Sequence, residues 1–134
     1  MKQYAIIDVN KPIVKVTFTG EKSTDENFES YLSTLETIYE ERKILTIIFD
    51  AQKASIPNIS HQKMQAKWIS EHWELIQTYC KGTAYVIPNM AIRAVLKMIF
   101  SFQKQPTPYK IFSNNEEAES WVKDLLSEEK HNSN

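Results

Sequence analysis

The residues best placed to do chemistry follow two apolar runs. Asp50 closes the run Ile44 to Phe49, with Lys53, Ser55 and Asn58 soon after it, and Asn89 follows Thr83 to Ile87. A carboxylate, an amine, a hydroxyl and an amide in those places would make a small polar ligand site. Open α/β sheets bind ligands at the carboxyl ends of their strands. Asp, Ser and Asn also bond to their own turn backbone, so the same residues equally suit ordinary loops.

Other chemistries find less support. His61 and His72 would stand roughly 16 Å apart on one helix, at about 1.5 Å per residue, too far to share a metal ion. His131 lies near the C-terminal end. His72 shares a stripe with Trp68, Ile69, Trp73 and Ile76, which suits a boundary histidine with one nitrogen in water; proton sensing is the sharper role open to it. Cys80 is the single cysteine and reads as a small buried side chain rather than a reactive thiol. With only Gly20 and Gly82, no glycine-rich phosphate loop can form. No nucleophile–base pair and no carboxylate pair is evident. The expectation is a non-enzymatic protein with no catalytic residues, metal or cofactor.

The most unusual segment is Met90 to Phe102. Arg93, Lys97, Ser101 and Lys104 recur at steps of four, four and three, a single narrow polar stripe. Apolar residues flank the stripe on both sides, including Ile92, Val95, Leu96, Met98, Ile99, Phe100 and Phe102. A surface helix needs an apolar face of only somewhat over 100°. The excess points to a buried helix, a homodimer or other protein contact, a pocket for an apolar small molecule, or a peripheral membrane contact with the cations reaching outward. Together with Asp50, Ser55 and Asn89, the residues Arg93, Lys97, Met98 and Phe102 are the candidate binding set. A homodimer is expected, with this helix at or beside the contact.

These residues must be positioned by a modest chain of 134 residues, 42% hydrophobic and 25% charged, with a formal charge of −1. That balance fits a globular domain and argues against nucleic-acid binding. No stretch is apolar enough to cross a bilayer, and the N-terminal residues lack a cleavage signal, so a cytoplasmic protein is expected. Tyr4 to Val9 and Ile13 to Thr19 read as paired strands around Asn10-Lys11-Pro12, the second alternating Val14, Val16 and Phe18 with polar residues. A helix opens at Ser23-Thr24-Asp25-Glu26, which has capping-box spacing, and buries Phe28, Tyr31, Leu32, Leu35 and Ile38. Ile44 to Phe49 is continuous enough for a strand covered on both faces. One helix then runs from about His61 to Tyr79, with Ser60 as its cap and Gly82 beyond its end. Thr83 to Ile87 is a fourth strand, Met90 to Gln103 a third helix, and Tyr109 to Phe112 a fifth strand. A last helix follows Ser113-Asn114-Asn115-Glu116. The whole reads as a five-stranded mixed, mostly parallel sheet with four helices, one α/β domain over residues 1–126 and a flexible tail over 127–134.

Phe18-Thr19-Gly20, Ile47-Ile48-Phe49-Asp50 and the stretch from Ala84-Tyr85-Val86-Ile87 through Ile92-Arg93-Ala94-Val95, Pro108-Tyr109-Lys110-Ile111-Phe112, Glu117-Ala118 and Trp121 resemble the SpoIIAA-like branch of the STAS superfamily. The resemblance spans nearly the whole chain and implies a module that binds protein partners or ligands. Its anti-sigma factor antagonists switch by phosphorylation of a serine just after the third strand. Here Asp50 is followed by Ala51-Gln52-Lys53-Ala54, with no serine at that place, and Ser55 and Ser60 lie farther along.

Overall fold

The structure is a computed structural model that describes residues 1–132. Five strands, β1 (Ala5–Asn10), β2 (Ile13–Phe18), β3 (Leu45–Asp50), β4 (Cys80–Val86) and β5 (Tyr109–Phe112), alternate with α1 (Asp25–Thr37), α2 (Ile59–Glu71), α3 (Trp73–Tyr79), α4 (Met90–Phe102) and α5 (Asn115–Asn132). The sheet order is β1-β2-β3-β4-β5. β1 runs antiparallel to β2, and every later neighbour is parallel. β3 lies in the centre with all six residues buried, as its unbroken apolar run predicts.

Side-chain alternation divides the core in two. Val14, Val16, Ile47, Phe49 and Tyr85 face α1, with Ile76 and Leu96 joining them. Ile48, Ala84, Val86 and Phe112 point the other way, onto Ala118 and Val122 of α5. The residues on that second face are small where α5 comes closest. Gly82 belongs here: it lies within β4, and a Cβ there would run into the Leu125 side chain of α5. It is thus a close-approach glycine and not the left-handed helix cap expected from its position. Gly20 does need a left-handed backbone, at φ +92°, and a Cβ would sit 2.9 Å from the Lys53 carbonyl oxygen.

Among the described residues there are five helices, not the four expected, because His72 interrupts the second. Its φ of −110° and ψ of 18° leave the helical range, while its N–H still bonds back to the carbonyls of Trp68 and Ser70. The apolar spacing runs straight across the break, which is why it reads as one helix. α5 continues past Leu126 to Asn132, so residues 127–132 are helical. The rest of the proposed tail, 133–134, and the side chain of His131 lie outside the described residues.

Three caps sit one or two residues away from their expected places. Thr24, not Ser23, caps α1 and exchanges bonds with Asn27. Asn114 bonds to the N–H of Glu117 at the start of α5. Asn58, not Ser60, caps α2: its Oδ1 accepts from the N–H of His61 at 3.0 Å, and the Ser60 hydroxyl donates to that same oxygen. Asn58→Ala is therefore expected to cost about 1 kcal/mol in chemical denaturation, and Ser60→Ala less than half of that. Equal losses for the two variants would contradict this assignment.

Candidate functional site

α4 does not lie on the sheet as α1 does. It packs chiefly against α2, and Leu96 is its one buried residue. Between α4 and the sheet is a cavity of about 90 Å³. Ile92, Val95, Leu96, Ile99 and Phe100 roof it, while Phe18, Phe49 and Tyr85 form its floor. Those three floor rings stand nearly parallel across neighbouring strands, with centroids 6.0 and 5.2 Å apart. A smaller cavity of about 40 Å³ adjoins it and shares Phe49, Gln65, Ile69 and Tyr85 as a common wall; Thr83 and Gln105 add polar groups there.

Among the described residues, no charged side chain lines either chamber. The tyrosines of the walls are also held neutral. Burial pushes the Tyr4 hydroxyl up to about 12 and lifts Tyr31, Tyr39 and Tyr85 higher still. The Tyr85 hydroxyl accepts a short bond from the Gln105 side-chain amide.

The structure separates the residues proposed from sequence as one polar site. Phe49 faces the cavity, so its neighbour Asp50 leaves the sheet on the α5 side. There Asp50 accepts from Asn115 Nδ2 at 3.1 Å and from the backbone and side-chain nitrogens of Gln52. Ser55 does line the larger of these two cavities, but its hydroxyl donates to the Glu21 carbonyl at 2.6 Å. Asn89 caps α4, accepting from the N–H of Ala91. None of the three bonds another. Arg93 reaches back along the fold: its Nε donates to the Ile87 carbonyl at 2.7 Å and its guanidinium meets Ser113. Lys97 is exposed. Met98 and Phe102 are 44% and 42% exposed on the outer face of α4, and Lys63 of α2 lies 5.8 Å above the Phe102 ring.

One constellation was not read from sequence. His61 is 1% exposed and stacks on Phe28. Its Nδ1 is 2.7 Å from Ser23 Oγ and its Nε2 is 2.8 Å from Asp25 Oδ1. The signal was available: β2 and β3 are parallel neighbours, so the segments leaving their ends bring the N-termini of α1 and α2 together. Serine, histidine and aspartate can form a nucleophile and base, but neither cavity is lined by any of these three. As placed, they fasten α1 to α2. His72 instead stacks on Trp68, with Nδ1 donating to the Trp68 carbonyl at 2.8 Å and Nε2 3.6 Å from Glu36. Cys80 is buried, and burial raises its thiol above the ordinary value, so it has the character of a core side chain. No described helix is long and apolar enough to cross a membrane.

A hairpin followed by three parallel additions, with three helical crossovers on one face and a closing helix on the other, defines a SpoIIAA-like fold. A solved structure with that fold superposes on this chain with a TM-score of 0.64, covering 87% of this chain and 90% of its own at 16% identity. It is an uncharacterized protein of the DUF3478 family from Shewanella loihica PV-4. No protein-family model matches the chain, and no curated protein does. The likeness is one of fold.

Asp50 provides a test of the α5 side. Burial alone would raise its carboxyl, but the bonds from Asn115 and Gln52, with the charge of Lys15, outweigh that and hold it below its ordinary value. A lowered carboxyl stabilises the fold fully above the unfolded-chain value and loses this as pH falls through the folded value. Asp50→Asn should therefore cost about 1.5 kcal/mol at pH 7, the low end of the scale for a bond to a charged group. The deficit should shrink steadily as pH is lowered below about 4, the ordinary Asp range. Denaturation of both proteins across that range checks it; a deficit independent of pH would refute the anionic role.

Proposed function

We propose that this domain is a non-enzymatic binding module that takes a small apolar molecule beneath α4. The observation that carries this reading is the stand-off of α4: a helix with five apolar residues turned inward touches the sheet at Phe100 and leaves a cavity beside that contact. Protein interiors are ordinarily close-packed, and an apolar lining with a few polar groups is the common character of a ligand site, here on a small scale. The absence of a charged group from the walls supports binding over catalysis, since acid–base chemistry needs such groups within reach of the bound molecule.

The outer face of α4 favours a second reading, a contact with another protein, in the first place a second copy of this chain. Met90, Met98 and Phe102 are exposed on α4, and Ile56 and Ile59 lie exposed just before and at the start of α2. Exposed apolar residues gathered on neighbouring elements mark contact surfaces more often than scattered ones do. The two readings are compatible, because the helix that roofs the cavity is also the helix that would meet a partner.

Native mass spectrometry of protein purified from cells is expected to show a retained apolar molecule. Val95→Phe, which fills the roof, is expected to fold but to lose that molecule. If wild type carries nothing and takes up no apolar probe, the ligand reading is wrong. For the outer face, Phe102→Asp should weaken self-association in sedimentation by tenfold or more while circular dichroism stays unchanged. A wild type that stays monomeric at high concentration would overturn the dimer.

A further inference from the structure

We infer that the molecule bound beneath α4 is uncharged and compact and carries one hydrogen-bonding group, a hydroxyl or carbonyl, that meets the side-chain amide of Gln65; this rests on the binding role proposed above. The chambers themselves set the class. An ion enclosed by apolar walls with no counter-charge costs far more than a neutral polar group that finds a partner. Among the described residues, no Lys, Arg, His, Asp or Glu stands in the wall of either chamber, which disfavours carboxylates, phosphates and amines alike.

Size narrows the class further. The larger chamber, about 90 Å³, is somewhat smaller than the roughly 150 Å³ engineered cavity that takes up benzene, and the adjoining one adds about 40 Å³. One ring or an equivalent branched skeleton fills such a space; an extended acyl chain does not. Aromatic side chains on floor and roof favour a ring, because offset and edge contacts between rings add to simple burial.

The polar contact follows from which groups are already engaged. Gln65 and Tyr85 are the polar residues common to both chambers. The Tyr85 oxygen already accepts from Gln105 and keeps only its O–H to donate, and the Ser55 hydroxyl is engaged by the Glu21 carbonyl. Gln65 is half-buried and lines both chambers, and its amide has no hydrogen-bond partner among the described residues, so it can offer donors and an acceptor where Tyr85 can offer only its O–H. A ligand hydroxyl or carbonyl between the chambers would pair with it.

Three probes of one skeleton decide the matter: benzene, phenol and benzoate, titrated into the wild-type protein at pH 7 and followed by amide chemical shifts in NMR. Phenol should bind at least as tightly as benzene despite its stronger hydration, and benzoate at least a hundredfold more weakly than phenol. In Gln65→Met, which keeps the volume and orphans no protein group, phenol should lose at least tenfold relative to benzene. Benzene bound and phenol rejected by the wild type would overturn the polar contact but leave the apolar site standing. Benzoate bound as well as phenol would overturn the neutral class. An unchanged phenol-to-benzene ratio in Gln65→Met would remove Gln65 from the site. Failure of all three probes to bind would sink the underlying binding role as well.

Discussion

Width is the constraint on which the rest of this molecule depends. The parallel strands are added in chain order, always on the same side, so their right-handed crossovers all fall on one face. Neighbouring strands lie about 4.8 Å apart, whereas packed helices need about 8–10 Å between axes. The span from β2 to β5 is therefore about 14 Å by strand spacing, and three helices side by side require more. α1 and the α2–α3 pair occupy the sheet. α4, last to cross, rests on α2 and bridges the remaining space, with Phe49 and Tyr85 below and Ile92 to Phe100 above. The cavity is thus a product of topology, and the surplus of apolar residues on α4 is what it takes to line both the gap within and the surface without.

The same geometry explains which parts of the fold could be read in the sequence. β3 was legible because a strand covered on both faces has no reason to alternate, and its six residues are all buried. β5 and α4 were legible because proline and asparagine bound them closely. The break at His72 was not, since Trp68, Ile69, Trp73 and Ile76 keep nearly helical spacing across it. Nor were the caps located to the residue. Ser23-Thr24, Asn58-Ser60 and Ser113-Asn114-Asn115 each offer more than one competent side chain within three positions. Which one is used depends on how the preceding loop arrives, a tertiary matter. Gly82 misled for a related reason: glycine suits both a helix terminus and a close contact, and only α5, more than thirty residues later, decides between them.

The candidate site was partly legible. An amphipathic excess on Met90 to Phe102 pointed to α4 and to a gap or partner beside it. The grouping of Asp50 with Ser55 was less sound, although strand parity already argued against it: if Phe49 is on the helix-crowded face, Asp50 is on the other. Gln65 carried no signal, because a glutamine one turn before Ile69 looks like any half-exposed helix position. The junction of Ser23, Asp25 and His61 needed the parallel pairing of β2 with β3 before its members could be seen as neighbours.

The two faces of the sheet also differ in how they can yield. On one, Gly82, Ala84 and Ala118 let α5 approach the strands closely, and Asp50 is bonded across to Asn115. On the other, α4 packs on α2, is anchored at its beginning by Arg93 on Ile87, and meets the strands again near its end, where the Phe100 ring lies against Tyr85 and Tyr109. The two faces therefore differ in how continuously their helices meet the strands. The far end of α4 can leave the sheet only by parting those rings, a separation that keeps the hydrogen bonds between strands in place. Mechanically, the molecule is a plate with one helix set close against it and another held off it at two points.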